Sequence, residues 1–135
     1  MATLEEGIVA FLIADASVGA VVDNRIYGMV MPQGATLPCL TYQRISTPRI
    51  VTHDSSGATG DLIHPRFQFD AWGVTQKSVK AISDVIRKVL HGKTGALAGG
   101  VSIRAAIADN EEPEFDPDSE LWRSRSDYII WYEEA

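Results

Sequence analysis

Arg66-Phe67-Gln68-Phe69-Asp70-Ala71-Trp72 is the stretch that decides the fold. It alternates, with Phe67, Phe69 and Ala71 on one side and Gln68, Asp70 and Trp72 on the other, which is the pattern of a strand with one face on a core. Directly after it, Thr75 stands as a helix cap. Val79, Ile82, Val85, Ile86, Val89 and Leu90 follow at helical spacing and predict an amphipathic helix from about Thr75 to Leu90. His91 and Gly92 suit its end, a cation near the negative pole and then a residue free to turn left-handed. A central strand followed at once by a helix with a broad apolar stripe already implies a sheet covered by helices.

Toward the N-terminus, Thr3 and Glu6 have capping-box spacing, and Leu4, Ile8, Phe11 and Leu12 predict a helix from about Thr3 to Asp15. Ala16 to Val22 holds one more turn, Asp23-Asn24 bends the chain, and Arg25-Ile26-Tyr27 reads as a short strand. Met29 to Pro38, with two prolines and Gly34, reads as a loop, and Cys39 to Ile45 as a strand. Thr47 to Gly60 collects Pro48, Ser55, Ser56, Gly57 and Gly60, yet Ile50 and Val51 can still pair, so an extended hairpin arm is expected there.

Toward the C-terminus, Gly92 to Gly100 reads as a flexible connection. Val101, Ile103, Ala105 and Ile107 alternate with Ser102, Arg104 and Ala106, as one strand would. Leu121 to Tyr132 closes the chain as a long strand. The predicted architecture is α+β: two helices packed on one face of a mainly antiparallel sheet, with an extended hairpin arm. At 135 residues and 14.7 kDa the expectation is a single domain over 1–135, large enough to bury a core without staples.

Twelve Lys plus Arg against eighteen Asp plus Glu leave a net charge of -6, the wrong sign for a chain that grips nucleic acid phosphates. The lone Cys39 excludes an internal disulfide and the paired thiolates of a common structural zinc site, and it fits a reducing compartment. Met1 to Glu6 lacks the basic start of a signal peptide, and no apolar run approaches the roughly 20 residues of a bilayer span. Neither export by that route nor a membrane partner is expected.

Gly92-Lys93-Thr94 ends like a phosphate loop, but Arg87 stands where that motif needs glycine, and a helix precedes instead of a strand. No dinucleotide fingerprint is present. Cys39 heads an apolar strand and reads as a buried thiol; as a nucleophile it would need a nearby histidine and an orienting group. His53, His64 and His91 share no metal-like spacing. No catalytic residue, metal site or cofactor is predicted.

The strongest compositional anomaly is Asp109 to Glu120, in which seven of twelve residues are acidic. Two prolines and no glycine exclude a calcium loop. It reads as a solvated acidic loop, or as a surface that repels a polyanion or docks a basic partner. Trp122, Tyr128, Trp131 and Tyr132 load both faces of the last strand, and a two-layer sandwich buries only one, so some of them are candidates for a subunit interface.

The order of these segments resembles the tail-completion (tail terminator) family of long-tailed bacteriophages and prophages. The resemblance runs through the opening helix, Asp23-Asn24-Arg25-Ile26-Tyr27, Pro32 to Gly34, Leu37-Pro38 and Cys39-Leu40-Thr41-Tyr42-Gln43. It continues through the arm, Arg66 to Trp72, the second helix, Leu121-Trp122-Arg123 and Asp127-Tyr128-Ile129-Ile130-Trp131-Tyr132. It departs at Cys39, where an aromatic or aliphatic residue is expected. The resemblance implies a non-enzymatic virion subunit, assembled in the bacterial host cytoplasm, that forms a ring, a hexamer, on the head-proximal end of the tail tube. There it stops tube growth and joins the head connector. The implied partners are other copies of itself, the tail tube protein and the head-tail connector protein, with DNA passing through unbound.

Such a ring needs two different complementary patches on each subunit. The arm, through Arg49, Ile50 and Val51, and the last strand, through Trp122, Trp131 and Tyr132, are the candidates. Glu111, Glu112 and Glu114 are candidate lumen-facing or connector-facing acids, since a lining that repels phosphates lets DNA pass. Two alternatives from other classes are a small cytosolic hydrolase using Cys39 and a dimeric binding module.

Overall fold

The computed structural model describes residues 3–50 and 62–133, so Val51, His53 and the outer part of the predicted arm lie outside the described residues. Helix α1 (Leu4–Ala14) starts as its sequence dictates: Thr3 Oγ1 accepts the Glu6 N–H at 3.2 Å. The chain turns at Asp15, whose carboxylate accepts from the Ser17 and Val18 N–H groups and caps α2 (Ala16–Val22). The expected extra turn is therefore a separate helix, and three helices stand where the sequence predicted two. Strands β1 (Ile26–Gly28) and β2 (Cys39–Ser46) follow, joined by the predicted loop, and then β3 (Arg49–Ile50), β4 (Leu62–Ile63) and β5 (Arg66–Gly73). Helix α3 (Gln76–Leu90) is capped by Thr75.

β6 (Gly95–Ala96), inside the connection read as flexible, forms a small hairpin with β7 (Ser102–Ile103), and β8 (Ala105–Asp116) and β9 (Leu121–Glu133) end the chain. The strand predicted from Val101 to Ile107 is thus broken at Arg104, whose N–H donates to the Trp131 carbonyl. A larger correction concerns the acidic segment. Through Asp116 it is strand, paired with β9 from Ala105↔Trp131 to Asp116↔Leu121, and only 117–120 turn. Charge and proline argued for a loop, but an edge strand tolerates both. Charges at its outer rim deter edge-to-edge pairing, and Pro113 sits where no inward N–H is needed.

The sheet runs β1-β2-β5-β9-β4-β3, with β8 added on β9, and β1–β2 is its parallel pair. β4 continues the line of β5 along β9 past the His64-Pro65 kink, and β3 pairs with β4, so the expected arm begins as an extension of the β2–β5 hairpin. Leu4, Ile8, Leu12, Val18, Val22, Val79, Ile82, Ile86 and Leu90 of the helices form one core with Leu40, Phe67, Phe69, Ala71, Ala106, Tyr128 and Ile130 of the sheet. Each Val, Leu, Ile or Phe among them, fully buried, contributes roughly 1.5–3 kcal/mol. Two contacts fix the layers: Gly7 lies so close over Val101 that a Cβ there would meet it at 2.6 Å, and buried Ser83 of α3 donates to Ser124 of β9 at 2.6 Å.

Candidate assembly surfaces

The pleat that sends Phe67, Phe69, Ala71, Ser124, Ser126, Tyr128 and Ile130 toward the helices sends Arg66, Gln68, Asp70, Trp72, Arg123, Arg125 and Asp127 to the other face. Antiparallel register then sets Asp70 opposite Arg125 and Gln68 opposite Asp127. The result is a ladder. Gln43 donates to Gln68 at 2.9 Å, Gln68 to Asp127 at 3.4 Å, and Arg66 bridges Asp127 at 3.1 Å to Asp109 at 2.6 Å, where β8 bulges. Arg125 donates to Asp70 at 3.2 Å; Arg123 pairs with Glu114 and lies 5.4 Å over the Trp72 ring, whose N–H donates to Thr41 Oγ1 at 3.1 Å.

The ladder is well shielded for a face that carries no helices: Asp70 is 14% exposed and Asp127 15%. Burial pushes the Asp70 carboxyl above its usual range, against the pull of Arg125 and Arg123. Alternation alone puts Gln68 and Asp70 opposite Phe67 and Phe69 but does not disclose the ladder. Its signal was the run Arg123, Arg125, Asp127 at period two, which becomes meaningful only once register sets it against Arg66, Gln68 and Asp70.

The predicted interface residues fall into two groups. Trp131 stacks on His64 at 4.6 Å, and Tyr132 pairs in register with Ile63, which itself pairs with Arg49, so these residues gather at the arm's base. Trp122 lies nine residues away at the other end of β9, about 30 Å at strand rise, half-buried on the helix side and edge-to-face with Phe115 at 5.1 Å. The backbone of Ile50 lies in β3, and Val51 is outside the described residues.

The three candidate acids also differ from one another. Glu111 faces α3 and lies 3.6 Å from both Lys80 and Arg87. Glu114 is spent on Arg123, and Glu112 stands opposite Arg125 in register with no ion pair. On this hairpin, among the described residues, Glu112, Asp116, Asp118 and Glu120 keep uncompensated charge. They cluster toward the turn, where Asp116 accepts from the Asp118 N–H and the Ser119 hydroxyl.

Cys39 is fully buried, and burial pushes its thiol up, the opposite of an activated nucleophile. His91 is the C-cap of α3, its N–H donating to the Arg87 carbonyl at 2.9 Å, and its Nδ1 accepts the Ala108 N–H at 2.9 Å and so ties the end of α3 to β8. Among the described residues no group of three His, Cys, Asp or Glu is placed to hold a metal, and no helix is long and apolar enough to cross a membrane.

The family model described as "Tail completion protein gp17" matches residues 6–133. A solved structure described as "Virion of native gene transfer agent (GTA) particle" contains a chain of similar fold. It matches at a TM-score of 0.67 and 17% identity, over 96% of this chain and 94% of that one. No curated protein matches the sequence.

Proposed function

The chain belongs to the tail completion protein gp17 family, a family of structural phage-tail proteins, and from that premise we propose that it caps the head-proximal end of the tail tube, stops its growth and joins it to the head connector. In this reading 1–135 acts as one tail-terminator-like domain without enzymatic activity. It assembles in the bacterial host cytoplasm as a ring, a hexamer, and remains in the virion. Its partners are its own copies, the tail tube protein and the connector protein, and DNA passes without being held.

The observation that carries the proposal is the family match over nearly the whole chain. The physical arrangement supports it. Shielded polar ladders are costly to build and unnecessary on a face that only meets water, whereas a face that meets other subunits gains from preformed polar contacts. The uncompensated acids at the β8–β9 turn supply a surface from which DNA phosphates are repelled. The buried thiol of Cys39 supports the non-enzymatic reading.

Deleting the gene from its phage or prophage and imaging the lysate tests this. The expected result is tails of irregular length beside unjoined, DNA-filled heads, with normal particles restored by the wild-type gene and by Cys39→Ala. Normal joined particles from the deletion would overturn the proposal, and loss of joining in a folded Cys39→Ala protein would favour the hydrolase reading.

A further inference from the structure

Met29 and Val30, 71% and 74% exposed, are the most exposed large apolar residues among the described residues. They follow β1 at one edge of the sheet and open the ten-residue segment Met29–Pro38, which has no charged side chain. Near the opposite edge, between the first turns of α3 and the outer rim of β8, lies a predominantly apolar groove of about 530 Å³ lined by Lys77, Val79, Lys80, Glu111, Pro113 and Ser124. Pro113 offers no N–H at that rim, so the groove is built to take side chains, not an added strand.

Loop and groove do not meet within this subunit, for no residue of the loop lines the groove. Four inter-strand steps of roughly 4.8 Å, about 19 Å in all, separate β1 from β8. Between subunits they match. The uncharged loop suits the apolar floor, and the charges beside each patch are complementary. Lys77 on the groove has no ion partner among the described residues, and neither has the exposed Asp23 just before β1.

We propose that the Met29–Pro38 loop of one copy seats Val30 and Met29 in the α3–β8 groove of the next, with Asp23 approaching Lys77. The contact joins unlike patches on opposite edges, so it is heterologous and propagates head to tail until its rotation closes a ring. This rests on the ring reading above and adds to it the two surfaces that meet.

Cysteines placed at Val30 and Lys77 in the full chain, bridged with a short bismaleimide, test the proposal on protein assembled on tails, with each single substitution as control. Cys39 is fully buried and stays out of the reaction. The expected result is a covalent ladder ending at the ring's subunit number in the double variant, and no ladder in either single variant. Rings visible on tails without a ladder overturn this contact and leave the ring reading standing; tails joined without any ring overturn the ring reading itself. Val30→Asp, at a site too exposed to affect folding, is expected to reduce ring assembly about tenfold or more at unchanged melting temperature. Assembly at the wild-type level would overturn the proposal.

Discussion

Arg66→Met probes the ladder most sharply, because Arg66 binds three strands together from its place at the start of β5. It contacts Asp127 of β9 at 3.1 Å and Asp109 at the β8 bulge at 2.6 Å. Methionine keeps most of the aliphatic stem and removes only the charge. The Asp109 carboxylate is 42% exposed, so losing that pair costs about 0.5 kcal/mol. Asp127 is 15% exposed and retains only the 3.4 Å bond from Gln68, so stranding its carboxylate costs about 1–2 kcal/mol more. A total of about 2 kcal/mol lowers the melting temperature by roughly 6–8 °C in a chain of this size. Chemical denaturation with fluorescence of the three tryptophans reads it, and Asp127→Asn in the Arg66→Met background is expected to recover about half. A loss under about 0.5 kcal/mol, or no recovery in the double variant, would refute the reasoning and make the outer face an ordinary solvated surface.

Asp15→Ala removes the α2 cap and is expected to cost about 1 kcal/mol near neutral pH. The Ser17 hydrogen bond holds the Asp15 carboxyl below the usual carboxylate range, so its contribution is present above that range and fades as pH falls through the lowered value, which urea melts across the acid range would show. Asp70 has the opposite sign. Its raised native value means that the folded state holds the proton more tightly than the unfolded chain, so protonation stabilises the fold. Wild type is therefore expected to gain stability relative to Asp70→Asn as pH falls through that raised value, and a gap constant with pH would contradict it. Asp118→Lys with Glu120→Lys adds four charges to a net of -6 at positions without ion partners and is expected to change stability by less than about 0.5 kcal/mol. It should give duplex DNA binding whose log affinity falls with log salt at a slope near -2 per subunit, against none for wild type; salt-independent binding would contradict the repulsion argument.

What the sequence disclosed was set by periodicity. Thr3, Thr75 and the apolar stripes of α1 and α3 are local signals, and caps and stripes appeared where they were read. The α+β layering followed from the order of helices and strands and from the alternation in β5. The acidic segment was misread because its charges and prolines obey an edge-strand logic that depends on knowing which strand lies at the edge. The ladder stayed hidden for a related reason: Arg66, Asp109 and Asp127 are far apart in sequence, and only register and the β8 bulge bring them together. His91 caps α3 and Gly92 turns left-handed as read, while the second contact of His91, with the Ala108 N–H, lies on a strand seventeen residues on and was beyond local reading.

The most direct measurement is a reconstruction of the joined particle at the head-tail junction, with this chain's fold fitted to the density. The expected result is a closed ring of this chain seated between the last tail-tube ring and the connector, with the β8–β9 turns, carrying Asp118 and Glu120, toward the channel or the connector. Density for this chain at the distal end of the tail, or its absence from finished particles, would contradict it.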